Sequence, residues 1–120
     1  MDSNVKCARL TLDPYGSILY VSTSRKVFLR RYKKLGGKKL DAERCDEVQG
    51  FCVEFGNVYL IGIFSGGIDT MVHELTHVCM YEAVRTNFHC DNSNDEALAY
   101  LMGTTAGKIV AAFPELLEKK

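Results

Sequence analysis

Apolar and polar residues alternate along several short stretches in the first half of the chain, which is the pattern of half-buried strands. One stretch ends at an Asp-Pro-Tyr-Gly turn at residues 13–16, and the next follows it directly. A later pair flanks Gly56 and Asn57, a dipeptide typical of hairpin turns. The pattern therefore predicts four strands, at residues 5–12, 17–23, 50–55 and 58–64.

Residues 25–35 fit two patterns. Phe28 and Tyr32 belong to a helical stripe, but the neighbouring apolar residues also alternate as they would in a strand. Two glycines at residues 36 and 37 end the segment in either case. Polar residues 38–48 follow, and we expect them to form a loop or a short helix.

The second half of the chain has helical periodicity. Asp69 or Thr70 can cap a helix over residues 68–86, and a polar loop separates this helix from a second one over residues 94–112. Strands come first and two helices follow, an order typical of an α+β fold in which helices cover a small antiparallel sheet. We expect one domain over residues 1–120.

Composition agrees with a globular domain: 47% of the 120 residues are apolar and 25% are charged. The formal net charge is zero, so no whole-molecule field argues for nucleic acid or membrane. No apolar run is long enough to span a bilayer. The five cysteines are odd in number, include no Cys-x-x-Cys pair and follow no apolar signal segment. We therefore expect free thiols in a reducing cytoplasm.

Charge is nevertheless uneven along the chain. Eight of the fifteen Lys and Arg residues lie between Arg25 and Lys39, and an acidic stretch follows at residues 41–47. The simpler interpretation is a solvated helix or hairpin face with compensating neighbours. The alternative is an anion-binding face that could serve nucleic acid.

The strongest chemical signal is the sequence HELTH at residues 73–77, inside the first predicted helix. Residues four apart lie on one helix face, so the imidazoles of His73 and His77 can bind one metal ion. A catalytic zinc ion takes three protein ligands and lowers the pKa of its water to about 7. Glu74 lies where its carboxylate could take a proton from that water. A pair of hydrogen-bonded core histidines is the alternative, but it does not explain the adjacent glutamate.

The third ligand must come from elsewhere, and Glu96 at the start of the second helix is the first candidate. It shares one helix face with three residues at helical spacing: Tyr100, Gly103 and Gly107. Glycines on that face would let the two helices approach closely. Asp95 and His89 are the alternative ligands. Asp95 and Glu96 also suit the helix dipole, and an acid that does not ligate could orient a ligating imidazole.

These residues resemble the zincin metallopeptidases, and among them the gluzincin type, in which a HExxH helix is followed by a helix that donates a glutamate ligand. The matching residues are His73, Glu74, His77 and Glu96. The combination HELTH and NDEALAYLMG is also similar to small phage- and prophage-encoded proteins with a minimal zincin core. The resemblance covers residues 58–112. It implies that residues 58–64 form the edge strand that binds an extended peptide.

The resemblance implies a metallopeptidase with one Zn²⁺ ion, acting on a protein or peptide in the cytoplasm, or in the host cytoplasm if the gene belongs to a phage. Glu74 would activate water and then protonate the leaving amine. Tyr81, Tyr100 and Arg85 are candidates for a second donor to the transition state, and Asp95, Tyr100 and Tyr81 are candidates for supporting or substrate-binding residues. Two other functions stay open: a non-catalytic binding or inhibitory protein with the zincin fold, and association with nucleic acid through residues 25–39.

Overall fold

Four strands form one sheet in the computed structural model, which describes residues 6–38, 48–87 and 95–118. The strands are β1 (Cys7–Leu12), β2 (Ser17–Ser22), β3 (Gly50–Phe55) and β4 (Val58–Ile63). Their order across the sheet is β1-β2-β4-β3. The β1–β2 and β3–β4 pairs are antiparallel, whereas β2 and β4 are parallel. The sheet is therefore mixed, and β1 and β3 form its two edges.

Three α-helices lie within the described ranges: α1 (Arg25–Lys34), α2 (Gly67–Arg85) and α3 (Asp95–Ala112), with a 3₁₀ turn at Pro114–Glu118. The α+β prediction is confirmed, and the segment that fitted two patterns is a helix. The sheet is mixed instead of antiparallel because the β3–β4 hairpin pairs with β2 through β4, and periodicity carries no information on strand direction. No helix in these ranges is long and apolar enough to cross a membrane.

The sheet lies between two layers of helix. Phe28 and Tyr32 of α1 pack with Leu60 on one face, and the larger core on the other face includes Tyr59 and Leu75. Tyr59 and Leu60 face opposite ways because successive strand residues alternate. Burial of each large apolar side chain stabilises the fold by about 1.5–3 kcal/mol, so both faces of the sheet hold it together.

The start of α2 differs from the prediction. Gly66 is the N-cap residue, with φ 87°, so the predicted cap at Asp69 or Thr70 is wrong. This left-handed backbone is open to glycine at little cost, which lets the chain enter the helix soon after β4. Asp69 lies in the first turn instead, where its carboxylate complements the helix dipole.

The edge strand beside α2 is β3. The expectation that residues 58–64 form the edge is wrong, because β4 pairs with both β2 and β3. Residues 59–63 are all buried, a continuous pattern typical of a central strand covered on both faces. In the part of the chain that the structure describes, β3 pairs with β4 alone, and its contacts with α2 bring it close to the helix that carries HELTH.

Candidate metal centre

Two histidines lie side by side on α2. The ring centroids of His73 and His77 are 5.0 Å apart, with 77° between the ring planes. Both side chains are exposed, so they do not form the buried core pair that the alternative explanation requires. Their ring nitrogens are the kind of donor that zinc accepts at about 2.0–2.1 Å.

Glu74 lies beside the histidines but on the sheet side of the helix, where only 7% of its surface is exposed. Burial raises the pKa of the Glu74 carboxyl, and the nearby His73 and His77 oppose that rise. A carboxyl group whose pKa lies closer to neutrality is better suited to accept and return a proton near neutral pH. Burial thus gives Glu74 the property that a general base needs.

The edge strand passes close to Glu74 because residue 50 is glycine. A Cβ atom at Gly50 would lie 2.5 Å from Thr70 Cγ2 and 3.0 Å from Glu74 Cγ. The sequence alone did not single out Gly50 or Thr70 as part of the site. Glycine inside a strand is nevertheless a known sign of close backbone approach, and it could have pointed to Gly50.

A groove of about 420 Å³ opens beside these residues. Its lining residues come from the start of β3 and the first turns of α2: Val48, Gln49, Gly50, Asp69, Thr70, His73 and Glu74. A molecule in this groove would contact Glu74 and His73 together. The groove therefore connects the exposed face of α2 that carries His73 with the buried carboxyl group.

The ring of His77 also packs against tyrosine. The ring centroids of His77 and Tyr81 are 6.3 Å apart with 22° between planes, and Tyr81 stacks on Tyr59 at 6.3 Å and 10°. Burial raises the pKa of Tyr81, and neighbouring acidic groups raise it further, so its phenol is neutral at physiological pH. Tyr81 was predicted as a supporting or substrate-binding residue, and it lies where it can orient the His77 ring.

A second buried glutamate, Glu82, lies two turns further along α2 and is 1% exposed. Its Oε1 atom accepts hydrogen bonds from Ser17 Oγ at 2.8 Å, Tyr59 Oη at 2.8 Å and Arg85 Nε at 3.1 Å. Burial would raise the pKa of Glu82, but the hydrogen bonds from Arg85, Tyr59 and Ser17 hold it below its usual value. Arg85 thus donates hydrogen bonds to Glu82. Because its guanidinium is engaged there, this pairing argues against the predicted role of Arg85 as a hydrogen-bond donor to the transition state.

Glu82 could have been found from the sequence. It occupies a position of the buried stripe of α2 that also contains Leu75 and Val78. A charged residue on a core-facing stripe needs partners, because an unpaired buried charge is strongly unfavourable. The periodicity therefore predicts a buried ionic network at Glu82, although it does not identify the donors.

The face of α3 that carries Glu96 points away from the core. Its four residues, Glu96, Tyr100, Gly103 and Gly107, are all exposed. A Cβ atom at either glycine would have open space around it, so the expected close approach of the helices through these glycines is wrong. The inward face of α3 is the opposite one, because Leu101 and Ile109 are the residues that enter the core.

The third metal ligand is not established by this geometry. Within residues 6–38, 48–87 and 95–118, no group of three His, Cys, Asp or Glu side chains could hold a metal ion. Glu96 is therefore not gathered with His73 and His77. His89 and the side chain of Asp95 lie outside the described residues. The choice among Glu96, Asp95 and His89 stays a prediction.

No protein-family model, curated protein or solved structure matches this chain. The resemblance to zincins therefore depends on the HELTH segment and the residues that follow it. Function is inferred below from the side chains that α2 and β3 bring together.

Proposed function

We propose that this protein is a zinc-dependent hydrolase, and specifically a metallopeptidase of the gluzincin type. The observation that carries the proposal is the pair of adjacent exposed imidazoles, His73 and His77, beside a buried Glu74 that lines one groove together with His73. Imidazole donors suit zinc, and they fit two of its three protein ligands. Glu96 is the first candidate for the third ligand, with Asp95 and His89 as alternatives.

The reaction is hydrolysis of a peptide bond. His73 and His77 would hold a zinc ion, which would supply a Lewis acid for the substrate carbonyl and a bound water of lowered pKa. Glu74 accepts a proton from the attacking water and delivers it to the amide nitrogen as the C–N bond breaks. One water and one peptide bond thus yield a carboxylic acid and an amine. The raised pKa of Glu74 favours the first of these transfers, since it makes the carboxylate a stronger base toward the attacking water.

The proposed substrate is a protein or peptide segment in an extended conformation. Within the described residues β3 pairs only with β4, and an extended peptide can pair with the backbone groups of such an edge strand. The groove at the start of β3 leads from that edge to Glu74. The strand-binding role that the resemblance implied for residues 58–64 is therefore proposed for β3.

Zinc analysis of histidine variants tests the metal site. The parent protein should bind one zinc ion per chain, and His77→Ala should lose it. Val84→Ala is the matched control, because Val84 is on the same helix and is 80% exposed. Retention of zinc by His77→Ala with unchanged affinity would show that the histidine pair is not the site.

Cleavage assays on Glu74→Gln test the general base. The variant should keep its zinc and lose about 10²–10⁴-fold in hydrolysis of a peptide library, the usual contribution of a positioned base. Glu118→Gln, at an exposed position of the 3₁₀ turn, should keep both properties. Equal rates for Glu74→Gln and the parent would exclude the proposed role of Glu74.

The same measurements separate the remaining alternatives. Glu96→Ala should weaken zinc binding more than Asp95→Ala, and the reverse ranking would reassign the ligand to Asp95. A parent protein that holds zinc through His73 and His77 but cleaves no peptide would favour the non-catalytic binding or inhibitory protein.

A further inference from the structure

Positive charge is concentrated in one region of the molecule. Residues 6–38 contain nine basic residues and one acidic residue, a net charge of +8 in a chain whose total is zero. The ten residues of α1 include six basic ones and none that is acidic. Lys26, Arg30 and Lys34 follow one another at four-residue spacing, where like charges destabilise a helix. Arg31, Lys33 and Lys34 lie in the last turn and complement the helix dipole, but the repulsion along this row opposes the stability of the helix.

A groove of about 310 Å³ lies between α1 and the start of β1. Its lining residues are mostly cationic and include no acid: Lys6, Cys7, Val27, Arg30, Arg31 and Lys34. The Arg31 guanidinium lies 4.5 Å from the ring centroid of Tyr20, and the Lys6 ammonium lies 5.4 Å from that of Phe113. Contacts with aromatic rings orient these cations without neutralising them.

Two cations elsewhere in the described chain are paired with carboxylates. Arg85 lies 3.1 Å from Glu82, and Lys108 lies 2.9 Å from Asp13. In the part of the chain that the structure describes, none of the four cations that line the α1–β1 groove forms such an ion pair. Four cations around one groove repel one another, and an anion bound there would relieve the repulsion.

The cations extend beyond the groove, which indicates a polymeric anion instead of a single phosphate. Arg9 is exposed on β1, opposite Tyr20 in the strand pairing, and Lys26 and Lys33 are exposed on α1. A helix of ten residues is about 15 Å long. One nucleic-acid strand presents a phosphate about every 3.4 Å along its axis, so several phosphates fit beside α1.

A membrane surface fits this region less well. The large exposed hydrophobic residues of the described chain lie elsewhere, on α2, α3 and the 3₁₀ turn: Val72, Met80, Val84, Tyr100 and Leu117. A helix that binds in a membrane interface needs apolar side chains that can enter it. We propose that the α1–β1 groove and the adjoining exposed face of α1 bind the phosphate backbone of a nucleic acid.

This proposal is independent of the hydrolase site, since α1 covers one face of the sheet and α2 the other. Fluorescence anisotropy with labelled DNA and RNA oligonucleotides at roughly 50 to 200 mM salt tests it. The binding constant should fall with salt with a logarithmic slope of about −3 or steeper, as four or more phosphate contacts require. Adding a zinc chelator should leave binding unchanged.

A pair of matched variants localises the contact. Arg30→Glu and Lys108→Glu change the net charge equally, and both side chains reach the surface. Arg30→Glu should weaken binding about tenfold and make the salt slope shallower by about 1 to 2, while Lys108→Glu should change affinity less than about twofold. Thermal unfolding should confirm that both variants fold.

Three outcomes would overturn the proposal. The first is the absence of binding at the lowest salt concentration. The second is an equal loss for Arg30→Glu and Lys108→Glu, which would indicate a response to net charge alone. The third is binding to phosphatidylserine vesicles or to polyglutamate without binding to DNA or RNA, which would assign the surface to a membrane or an acidic protein.

Discussion

Two glutamates of α2 are buried, and they differ in what surrounds them. Glu82 accepts hydrogen bonds from three side chains, and the pKa of its carboxyl is lowered. Glu74 lies at the wall of an open groove beside two histidines, and the pKa of its carboxyl is raised. Burial raises the pKa of both carboxyl groups, so the hydrogen-bond donors around Glu82 account for the difference between the two pKa values. A buried carboxylate surrounded by donors stabilises the fold, whereas one facing a groove can exchange a proton.

The strands under the helix explain why the two environments differ. Glu82 lies over β2 and β4, which supply the hydroxyl groups of Ser17 and Tyr59. Glu74 lies over the start of β3, where Gly50 has no side chain to offer. The strand under each glutamate therefore decides its environment: the hydroxyl groups under Glu82 bind its carboxylate, whereas Gly50 leaves the carboxyl group of Glu74 without such donors.

The largest expected effect comes from removing the Glu82 side chain. Glu82→Ala should lower the free energy of unfolding by about 3 kcal/mol, because the buried hydroxyls of Ser17 and Tyr59 lose their acceptor. Glu74→Ala removes the same atoms from the same helix without leaving such donors unpaired, and it should lose much less. Urea unfolding followed by circular dichroism measures both. Equal losses of unfolding free energy would show that the hydrogen bonds to Glu82 do not make it more important for stability than Glu74.

A smaller effect is expected at the glycine beside Glu74. Gly50→Ala should lower the free energy of unfolding by about 1–3 kcal/mol, because its Cβ would press on Thr70 and Glu74. Thr70→Ser removes the methyl group nearest to that Cβ, so the double variant should recover part of the loss. Urea unfolding of both variants is the measurement. A Gly50→Ala protein as stable as the parent would mean that β3 does not pass this close to Glu74.

Local periodicity was sufficient to predict most elements of the fold. The alternating stretches correspond to strands, and the HELTH segment does lie on one helix with its histidines adjacent. Strand order and direction could not be predicted, because they depend on which strands meet in space. The central position of β4 had one sequence signal, its uninterrupted apolar run.

The candidate site was predictable only where its residues are neighbours in sequence. Spacing correctly placed Glu96, Tyr100 and Gly103 on one face of α3, but it did not reveal that this face is exposed. The large apolar residues Leu101 and Ile109 decide which face enters the core, because their burial contributes more than close approach at glycine would. The neighbours of Gly50 and the hydrogen-bond partners of Glu82 could be identified only from the tertiary structure.

The loss of stability in acid should also differ between variants at Glu82 and at Glu74. The pKa of Glu82 is lowered by folding, so its contribution to stability is present above its usual pKa of 4.5 and is lost as pH falls through the folded value. The parent should therefore lose stability below about pH 4.5, and Glu82→Ala should lose less over that range. The raised pKa of Glu74 acts in the opposite direction, so Glu74→Ala should retain the acid loss. Urea unfolding at a series of pH values, with a chelator present, distinguishes the variants.

The smallest change in stability is expected at Gly103 on α3, which has open space around it where Gly50 has close neighbours. Space around Gly103 is open, and it lies inside an exposed helical turn, so Gly103→Ala should raise the free energy of unfolding by about 0.5–1 kcal/mol. Gly107→Ala should behave in the same way. Thermal unfolding of the two variants beside Gly50→Ala is the measurement. Destabilisation by Gly103→Ala would mean that this face of α3 does contact another element, and it would again favour Glu96 approaching the histidines next to Glu74.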